Sequence, residues 1–279
     1  MTPVHSPRTV VIVIALAISL AGCARTIRFQ PLPASAPLTA PAPAAPQERP
    51  MRLVLGESLG YTILWFGLEV MRGELRVAET PTVQDGRPSV ALSASAMSTG
   101  LVHHLFSVED TLSTRVDPHT VLPAQFEFTL RHGKHRTEER VLFDHAGRRA
   151  VSTRHAEPLA IPPDARDLLT VYYYLRTVPI IEGRTLTGQF VAQGALWPLT
   201  ATVHRRGMLT IPRGTFPAWE VEVETPWLEP YIRRKTLWLW VSEDAARVPL
   251  MARVKLPLGW LTALLDDCRP SWPTSAESP

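Results

Sequence analysis

The feature that most constrains this chain is an alternation of apolar and polar residues with a period of two, which begins after residue 51. Successive side chains of a strand point to opposite faces, so this period is typical of strands with one buried face. Such segments recur about a dozen times, separated by turn-forming pairs such as Asp85-Gly86 and Arg213-Gly214. The sequence therefore predicts a mainly β fold, a single strongly curved antiparallel sheet or half-barrel of about a dozen strands.

One predicted strand, at residues 231–241, is apolar on both faces near its end. Trp238 and Trp240 point to one side, and the odd-numbered residues 237–241 point to the other. A sheet that is covered on one face only does not need this pattern. We therefore expect the sheet to enclose something, either a helix or a ligand.

A single amphipathic helix is predicted after the two prolines at 162 and 163. Asp164 is placed to cap its first turn, and Asp167 suits the positive end of the helix dipole. The apolar stripe at helical spacing consists of Leu168, Val171, Tyr172 and Leu175. We expect about three turns that lay this stripe against the sheet as one covering α-helix.

The N-terminus resembles a bacterial export signal that ends in a lipobox. Val10 to Leu20 is an uninterrupted run of eleven apolar or small residues, whereas a bilayer span needs about 20 apolar residues. Leu20-Ala21-Gly22 then precedes Cys23, whose thiol in a lipobox accepts diacylglycerol. We expect cleavage after residue 22 and lipid on Cys23; the alternative is an ordinary signal peptide with a chance cysteine.

Further expectations about location and domain limits follow from this signal. By resemblance to the bacterial sorting rule, Ala24 favours the outer membrane, so we expect a lipid-anchored protein on its periplasmic face. Residues 23–50 are rich in proline and alanine and predict an extended spacer. Residues 51–268 form the predicted β-rich domain, and residues 269–279 a disordered tail. Once Cys23 is acylated, Cys268 has no intrachain partner, and a buried thiol is favoured over a nucleophile.

Several blocks together resemble a bacterial envelope family known as domain of unknown function 3108. The blocks are residues 56–65, 108–123, 167–176 (DLLTVYYYLR), 213–216, 237–249 and 255–264. Their order and spacing carry the resemblance, which covers residues 55–265; Trp260 departs from it, because a smaller residue is expected there. The resemblance implies a single curved antiparallel sheet in the periplasm and no established activity. The architecture is also loosely similar to that of periplasmic lipoprotein carriers.

The sequence offers little catalytic or metal chemistry. No nucleophile elbow, zinc-protease motif or phosphate loop is present, so no catalytic residue, metal or cofactor is predicted. The clusters His103-His104 and His132-x-x-His135 are interpreted as solvated rather than metal-binding. A formal net charge of +3 gives no support to a nucleic-acid partner.

Six aromatic residues on predicted strand faces are the candidate ligand contacts: Tyr61, Trp65, Phe126, Phe128, Trp238 and Trp240. If those faces line a cavity, they can hold an acyl chain or stack on a sugar; the alternative is a filled core. The first functional hypothesis is a non-catalytic, membrane-tethered lipoprotein that binds a lipid or glycan in its concave sheet. The second is a structural or partner-binding lipoprotein with a dry core, whose protein partner the sequence does not identify. A hydrolase stays open only because triads assemble in space.

Overall fold

The structure, a computed structural model, describes residues 27–32, 53–84, 86–228 and 236–270. Within these ranges the chain forms seventeen strands, two α-helices and one 3-10 turn. The export signal, Cys23 and residues 271–279 of the expected tail lie outside the described residues. The predicted mainly β fold is confirmed.

The first ten strands are β1 (Arg28–Pro31), β2 (Ser58–Trp65), β3 (Leu68–Val77), β4 (Thr82–Gln84), β5 (Arg87–Ser98), β6 (Val108–Val116), β7 (Pro123–His132), β8 (His135–Asp144), β9 (Arg149–Ser152) and β10 (Leu159–Ala160). The remaining strands are β11 (Arg166–Asp167), β12 (Thr185–Ala192), β13 (Ala195–Ile211), β14 (Gly214–Glu224), β15 (Thr236–Ser242), β16 (Pro249–Lys255) and β17 (Trp260–Arg269). The helices are α1 (Gly100–Leu105) and α2 (Leu168–Leu175), with a 3-10 turn at Pro226–Leu228.

The strands form one large sheet that is not closed into a barrel. Sequential neighbours pair as hairpins from β5 to β10 and from β12 to β17, and β17 pairs with β2 to join the two halves. The expectation of about a dozen antiparallel strands is corrected in two respects. There are seventeen strands, and β11 pairs with β12 in parallel. Strands of two or three residues, such as β4, β10 and β11, are too short to show a period.

The helix α2 lies on the sheet and contacts distant strands. Val171 packs with residues of β12, β13 and β14. Leu169 and Tyr173 pack with residues of β3, β5 and β6. Leu168 contacts the cluster built from β7, β8 and β9. One short helix therefore joins both halves of the sheet.

The structure corrects the predicted start and buried face of this helix. Its N-cap is Asp167, not Asp164, and the helix has eight residues instead of three turns. Because β11 holds Arg166 and Asp167 extended beside β12, the helix starts only after them. Its buried residues are Leu169, Thr170, Val171 and Tyr173. Three of these, Leu169, Thr170 and Tyr173, lie outside the expected stripe, because strands surround the helix on more than one side. The helix α1 adds a second α-helix to the single one expected.

The strand predicted to be apolar on both faces begins at Thr236, and residues 231–235 lie outside the described residues. Trp240 belongs to a cluster formed with β13, β14, β16, β17 and β2. Leu237, Leu239 and Val241 pack against the cluster that contains Val171 of α2. Both faces of β15 are therefore covered, as its pattern predicts.

The start of the expected spacer forms a strand instead. Arg28 to Pro31 pair with β13, opposite Thr210 to Gly207. Phe29 lies on the apolar side of this strand and packs against the cluster that holds Trp240. Four residues are too few to stand out as a strand beside a proline-rich stretch. The remaining spacer residues, 33–50, lie outside the described residues.

At the other end of the chain, β17 continues to Arg269, one residue beyond the expected domain limit. Cys268 is buried, which agrees with the expected buried thiol. Among the described residues, no helix is long and apolar enough to cross a membrane.

Candidate functional site

A buried ion pair stands at the C-terminal end of α2. The guanidinium of Arg176 donates to both carboxylate oxygens of Glu57, at 2.7 and 2.8 Å. The two side chains are only 13% and 7% exposed. Arg176 also donates to the carbonyl of Ala246 at 2.8 Å. This bidentate pair ties the helix to the start of β2 and to the β15–β16 loop.

Tyrosines surround this ion pair. The Arg176 guanidinium lies 5.5 Å from the ring centre of Tyr173 and 5.9 Å from that of Tyr172. The hydroxyl of Tyr61 donates to the carbonyl of Pro249 at 3.0 Å. Burial is the main cause that raises the pKa of Tyr61, Tyr172 and Tyr173, so all three phenols stay neutral.

The charge of Arg176 is fixed by its partners. Burial, the largest single cause, would lower the pKa of Arg176, but the hydrogen bonds that Arg176 donates to Glu57 and the Coulombic effects of Tyr172, Glu57 and Tyr173 together hold the pKa above its ordinary value. Arg247, itself buried, donates to the carbonyls of Arg176 and Val178. A guanidinium held charged in this way positions the helix and offers no proton at neutral pH. We call Glu57, Tyr61, Tyr172, Tyr173 and Arg176 the α2 centre.

The N-terminus of α2 is also held by a buried acid. Asp167 accepts the amides of Leu169 and Thr170 at 2.7 and 2.9 Å, and its own amide donates to the Thr170 hydroxyl at 2.8 Å. Burial raises the pKa of Asp167 to about 6, against the opposing effect of these hydrogen bonds. This reciprocal cap fixes the N-terminal end of α2, and the Arg176–Glu57 pair fixes its C-terminal end.

The six predicted aromatic residues fall in different parts of the molecule. Phe126 and Phe128 are buried together in the cluster of β7, β8 and β9, with ring centres 6.1 Å apart. Trp240 belongs to another cluster, around β15 to β17, and Tyr61 and Trp238 pack against it. This cluster reaches both faces of the sheet, because it contains the adjacent residues Leu264 and Leu265. Trp65 lies at the end of β2, where its indole donates to the carbonyl of Leu258 at 2.6 Å. The structure therefore does not bring the six together into one lining.

Register explains part of this separation. Trp240 pairs with Met251, which pairs with Leu264. Tyr61 pairs with the next residue, Leu265, and therefore faces the opposite side of the sheet from Trp240. Local alternation along each strand could not show this, because it depends on how separate strands align.

The surface grooves differ in their lining, and one of about 270 Å³ beside α2 is lined largely by apolar side chains such as Val171, Leu175 and Leu199. Another of about 390 Å³ crosses β3, β5, β6 and β7, and Phe128 is the one predicted aromatic residue among its lining residues. Its polar lining includes Glu74, Ser93, Thr111 and Glu127. Such a groove differs from the apolar cavity that an acyl chain requires.

The histidine pairs lie at turns and on the surface. His132 contacts both carboxylate oxygens of Asp110 at 3.1 Å, and hydrogen bonding to Asp110 raises the pKa of His132. His103 Nδ1 lies 3.1 Å from the Ser98 hydroxyl, which also accepts the amide of Val108 at 2.9 Å. Within the described ranges, no group of three or more His, Cys, Asp or Glu side chains is arranged to hold a metal.

Exposed apolar residues gather where β2, β5 and β16 end. The Phe66 and Leu68 side chains are 57% and 48% exposed at the β2–β3 turn, and Leu101 and Leu105 of α1 are 77% and 64% exposed. Leu258, at the β16–β17 turn, is 40% exposed. We call these five residues the apolar rim.

Ring contacts and hydrogen bonds bring the three segments of the rim near one another. The Trp65 and Phe66 ring centres are 5.2 Å apart. The Trp65 indole reaches Leu258, and the Thr99 amide, just before α1, donates to the carbonyl of Val70 at 2.9 Å. Arg253 and Lys255 lie 4.7 and 5.0 Å from the ring centre of Trp260, beside the rim. The rim thus combines apolar side chains with a positively charged border.

Sequence reasoning missed both the α2 centre and the rim. Phe66 has a φ of 50° and Gly67 a φ of 79°, which is the backbone of a two-residue hairpin turn that favours Asn-Gly. A phenylalanine in this left-handed conformation is strained. The one sequence signal for the rim was the pair Phe66-Gly67 between two apolar strands, which could have predicted an exposed phenylalanine in a hairpin turn. Glu57 and Arg176, 119 positions apart, gave no local signal.

Comparisons with known proteins bear on the family and the fold. The family model described as Protein of unknown function (DUF3108) matches residues 60–266. No curated protein matches the chain. A beta-barrel-like protein of domain of unknown function DUF1849 from Brucella abortus is 7% identical, with a TM-score of 0.49 over 78% of this chain and 98% of its own. A protein with a YmcC-like fold from Bacteroides fragilis is 9% identical, with a TM-score of 0.33 over 80% of this chain and 100% of its own.

Proposed function

We propose that this chain, which belongs to the DUF3108 family of proteins of unknown function, is a lipid-anchored envelope protein that acts through its surface and encloses no ligand. The observation that carries the proposal is the position of α2. Its residues contact three of the four apolar clusters, on both halves of the sheet. The sheet is best understood as a curved half-barrel whose inner face is occupied by this helix.

The α2 centre supports a filled interior. A ligand at this place would have to separate Arg176 from Glu57 or push the helix away. Leaving one member of a buried ion pair without the other costs about 3–5 kcal/mol. Enclosure of a lipid or glycan in the concave sheet is therefore the weaker of the two hypotheses raised by the sequence.

We propose a non-catalytic role as well. The Ser98 hydroxyl, which lies 3.1 Å from His103 Nδ1, already accepts the Val108 amide at 2.9 Å. Asp110, which contacts His132, also accepts the amide of Arg131 at 3.2 Å. Both groups thus take part in local backbone structure, which supports a structural role for the pairs.

The anchor rests on the N-terminal sequence. The apolar run of residues 10–20 and the lipobox at Leu20 to Cys23 support lipidation, and Ala24 supports the outer membrane. Lipid chains contribute about 0.8 kcal/mol per buried methylene, so a triacylated cysteine holds a domain without a membrane-spanning helix.

The surface proposed to act is the apolar rim. Contiguous exposed apolar residues mark interaction sites in soluble domains. Arg253 and Lys255 border the rim, so the partner that fits is an envelope protein offering an apolar segment flanked by acidic residues. Strain at Phe66, where a smaller polar residue suits the turn, supports a role for this aromatic side chain beyond folding.

The test uses the full chain in its lipoprotein-processing host. A photo-crosslinking residue at Phe66 is compared with one at Leu142, an apolar side chain that is 49% exposed on β8. We expect a partner crosslink at position 66 that is absent at position 142 and lost when Lys255→Glu and Arg253→Glu reverse the border charge. Equal crosslinking at both positions, or no effect of charge reversal, would contradict the rim as the site.

Two further measurements test the rest of the proposal. Mass spectrometry of the N-terminal peptide should show acylation that the Cys23→Ala variant lacks. Native mass spectrometry of the purified chain should show no stoichiometric lipid or glycan held by the domain. A retained ligand would restore the hypothesis of a ligand-binding sheet.

A further inference from the structure

The first described residues bind directly to the body of the domain. Arg28 to Pro31 pair with Thr210 to Gly207 of β13, and the Leu32 amide donates to the carbonyl of Arg206 at 3.0 Å. This strand takes the edge position that β12 leaves open on the second half of β13. β1 is therefore part of the sheet and not part of a free spacer.

Side-chain packing shows that β13 accommodates this strand specifically. The Phe29 ring lies edge-on to Trp240, with ring centres 6.1 Å apart, and the Arg205 guanidinium is 5.9 Å from the Phe29 ring centre. A Cβ atom on Gly207 would lie 2.5 Å from the Phe29 ring and 2.6 Å from the Gln30 carbonyl oxygen. Gly207 is thus required for the close approach of β1.

The position of β1 determines where the anchor leaves the domain. β1 begins beside the β13–β14 hairpin, whose Arg213 donates to the carbonyl of Asp266 at 3.0 Å. Cys23 precedes Arg28 by five positions, which span at most about 17 Å of extended chain. A lipid on Cys23 must therefore lie within that distance of the β13–β14 hairpin.

The apolar rim lies at the other end of the same strands. Asp266 lies between Leu265 and Asp267, which pair with Tyr61 and Gly60 near the start of β2. Phe66 follows the last residue of β2, so it stands about six residues, or roughly 20 Å, further along the strand.

We propose that β1 is a latch that makes the anchor a short tether. The tether holds the β13–β14 hairpin end of the domain on the surface of the anchoring bilayer. The apolar rim then points away from the bilayer. This inference rests on the lipidation of Cys23 in the proposed function. With β1 docked, the proline-rich residues 33–52 connect two points on the domain and add nothing to the reach of the anchor. Released, the tether runs from Cys23 to Leu53, at most about 100 Å.

The experiment measures energy transfer from the domain to acceptor lipids in vesicles carrying the full lipidated chain. Donor fluorophores are attached at the exposed hairpin residue in a Pro212→Cys variant or at the rim in a Leu101→Cys variant; the native Cys268 is buried. We expect strong transfer from position 212 and weak transfer from position 101. In Gly207→Val, which cannot dock β1, transfer from position 212 should fall to the level seen at position 101.

A matched variant controls for the added side chain. Gly188→Val is the control, because a Cβ on this strand glycine of β12 would meet nothing within 4 Å. It should keep the strong transfer from position 212. Phe29→Asp provides a second way to release β1 that leaves β13 itself unchanged, and it should reproduce the loss seen with Gly207→Val.

The outcomes separate the latch from the anchor. Vesicle flotation and the mass of the N-terminal peptide report lipidation on their own; a chain that fails both overturns the proposed anchoring. A chain that floats but shows equal transfer from positions 212 and 101, or no change in Gly207→Val and Phe29→Asp, overturns the latch and leaves the lipid anchor standing.

Discussion

The α2 centre and the apolar rim depart in opposite ways from the usual distribution of side chains in a folded protein. One buries charged side chains, and the other exposes apolar ones. In the α2 centre, charged side chains are buried and fully paired, as Arg176 and Glu57 show. At the rim, large apolar side chains are exposed, and Leu101 is 77% accessible. A chain selected only for stability would favour neither arrangement. The contrast matches the proposed function, in which the α2 centre holds the helix against the sheet and the rim is the surface proposed for recognition.

The largest effect expected in this comparison comes from breaking the buried pair. Arg176→Met leaves the Glu57 carboxylate buried without its cation, which should lower the free energy of unfolding by about 3–5 kcal/mol. Urea denaturation followed by circular dichroism measures this loss.

A double variant provides the control for that measurement. Arg176→Met combined with Glu57→Leu removes both charges, and replacement of a buried ion pair by apolar side chains is often neutral. Most of the lost stability should return. If the single and double variants were equally unstable, packing of the arginine stem and not its charge would explain the effect.

The next effect concerns Asp167 and pH. Because the native pKa is raised from 3.8 to about 6, the native state holds this proton more tightly than the unfolded state. Stability from this group is therefore greatest below pH 3.8 and falls as the pH rises to about 6, by about 3 kcal/mol in total. The difference in unfolding free energy between the wild type and Asp167→Asn, measured from pH 4 to 8, isolates this group.

Asparagine is the informative substitution because it caps a helix as well as aspartate does. Asp167→Asn should keep the cap, lose the pH dependence assigned to this group and be at least as stable as the wild type at pH 8. Asp167→Ala should be less stable than Asp167→Asn by about 1–2 kcal/mol, since it loses the cap. Identical pH profiles for wild type and Asp167→Asn would contradict the raised pKa.

The two regions also differ in how far sequence predicts them. Period-two patterning predicts the strands, and the two-faced pattern around Trp240 correctly predicts a strand covered on both sides. The cap shows the limit of such local reasoning: Asp164 and Asp167 both suit a helix start, and the pairing of β11 with β12 decides between them.

Other features arise only when distant segments meet. The partner of Arg176 lies 119 positions away, and no local pattern connects it to Glu57. β1 has four residues next to a proline-rich stretch, and its identity as a strand comes from Gly207 and Trp240, far along the chain. The rim cannot be predicted from sequence either. Phe66 in one turn, the short helix α1 and the β16–β17 turn become neighbours only in the folded sheet.

A smaller effect, of opposite sign, is expected at the rim. Phe66 occupies a left-handed conformation, with a φ of 50°, and asparagine adopts it more readily. Phe66→Asn should therefore be more stable than Phe66→Ala by about 1 kcal/mol, as measured by thermal or urea unfolding. With the photo-crosslinking residue placed at Leu68 instead of position 66, both variants should lose the partner crosslink. An asparagine variant that is no more stable than the alanine variant would show that the turn is not strained.

The smallest effect on stability is expected in α1, where substitutions should abolish binding to the partner without affecting folding. Leu101 and Leu105 belong to α1, which has no buried residues. Leu101→Ser and Leu105→Ser should change the free energy of unfolding by less than about 0.5 kcal/mol, since surface substitutions remove little buried area. Crosslinking to the partner from position 66 should nevertheless be lost, because serine removes the apolar surface that the partner covers. Matched substitutions at Leu142 and Val151, an exposed pair on β8 and β9, should leave both stability and crosslinking intact. If the α1 variants unfolded more readily, the rim would belong to the core and its exposure would have no bearing on recognition.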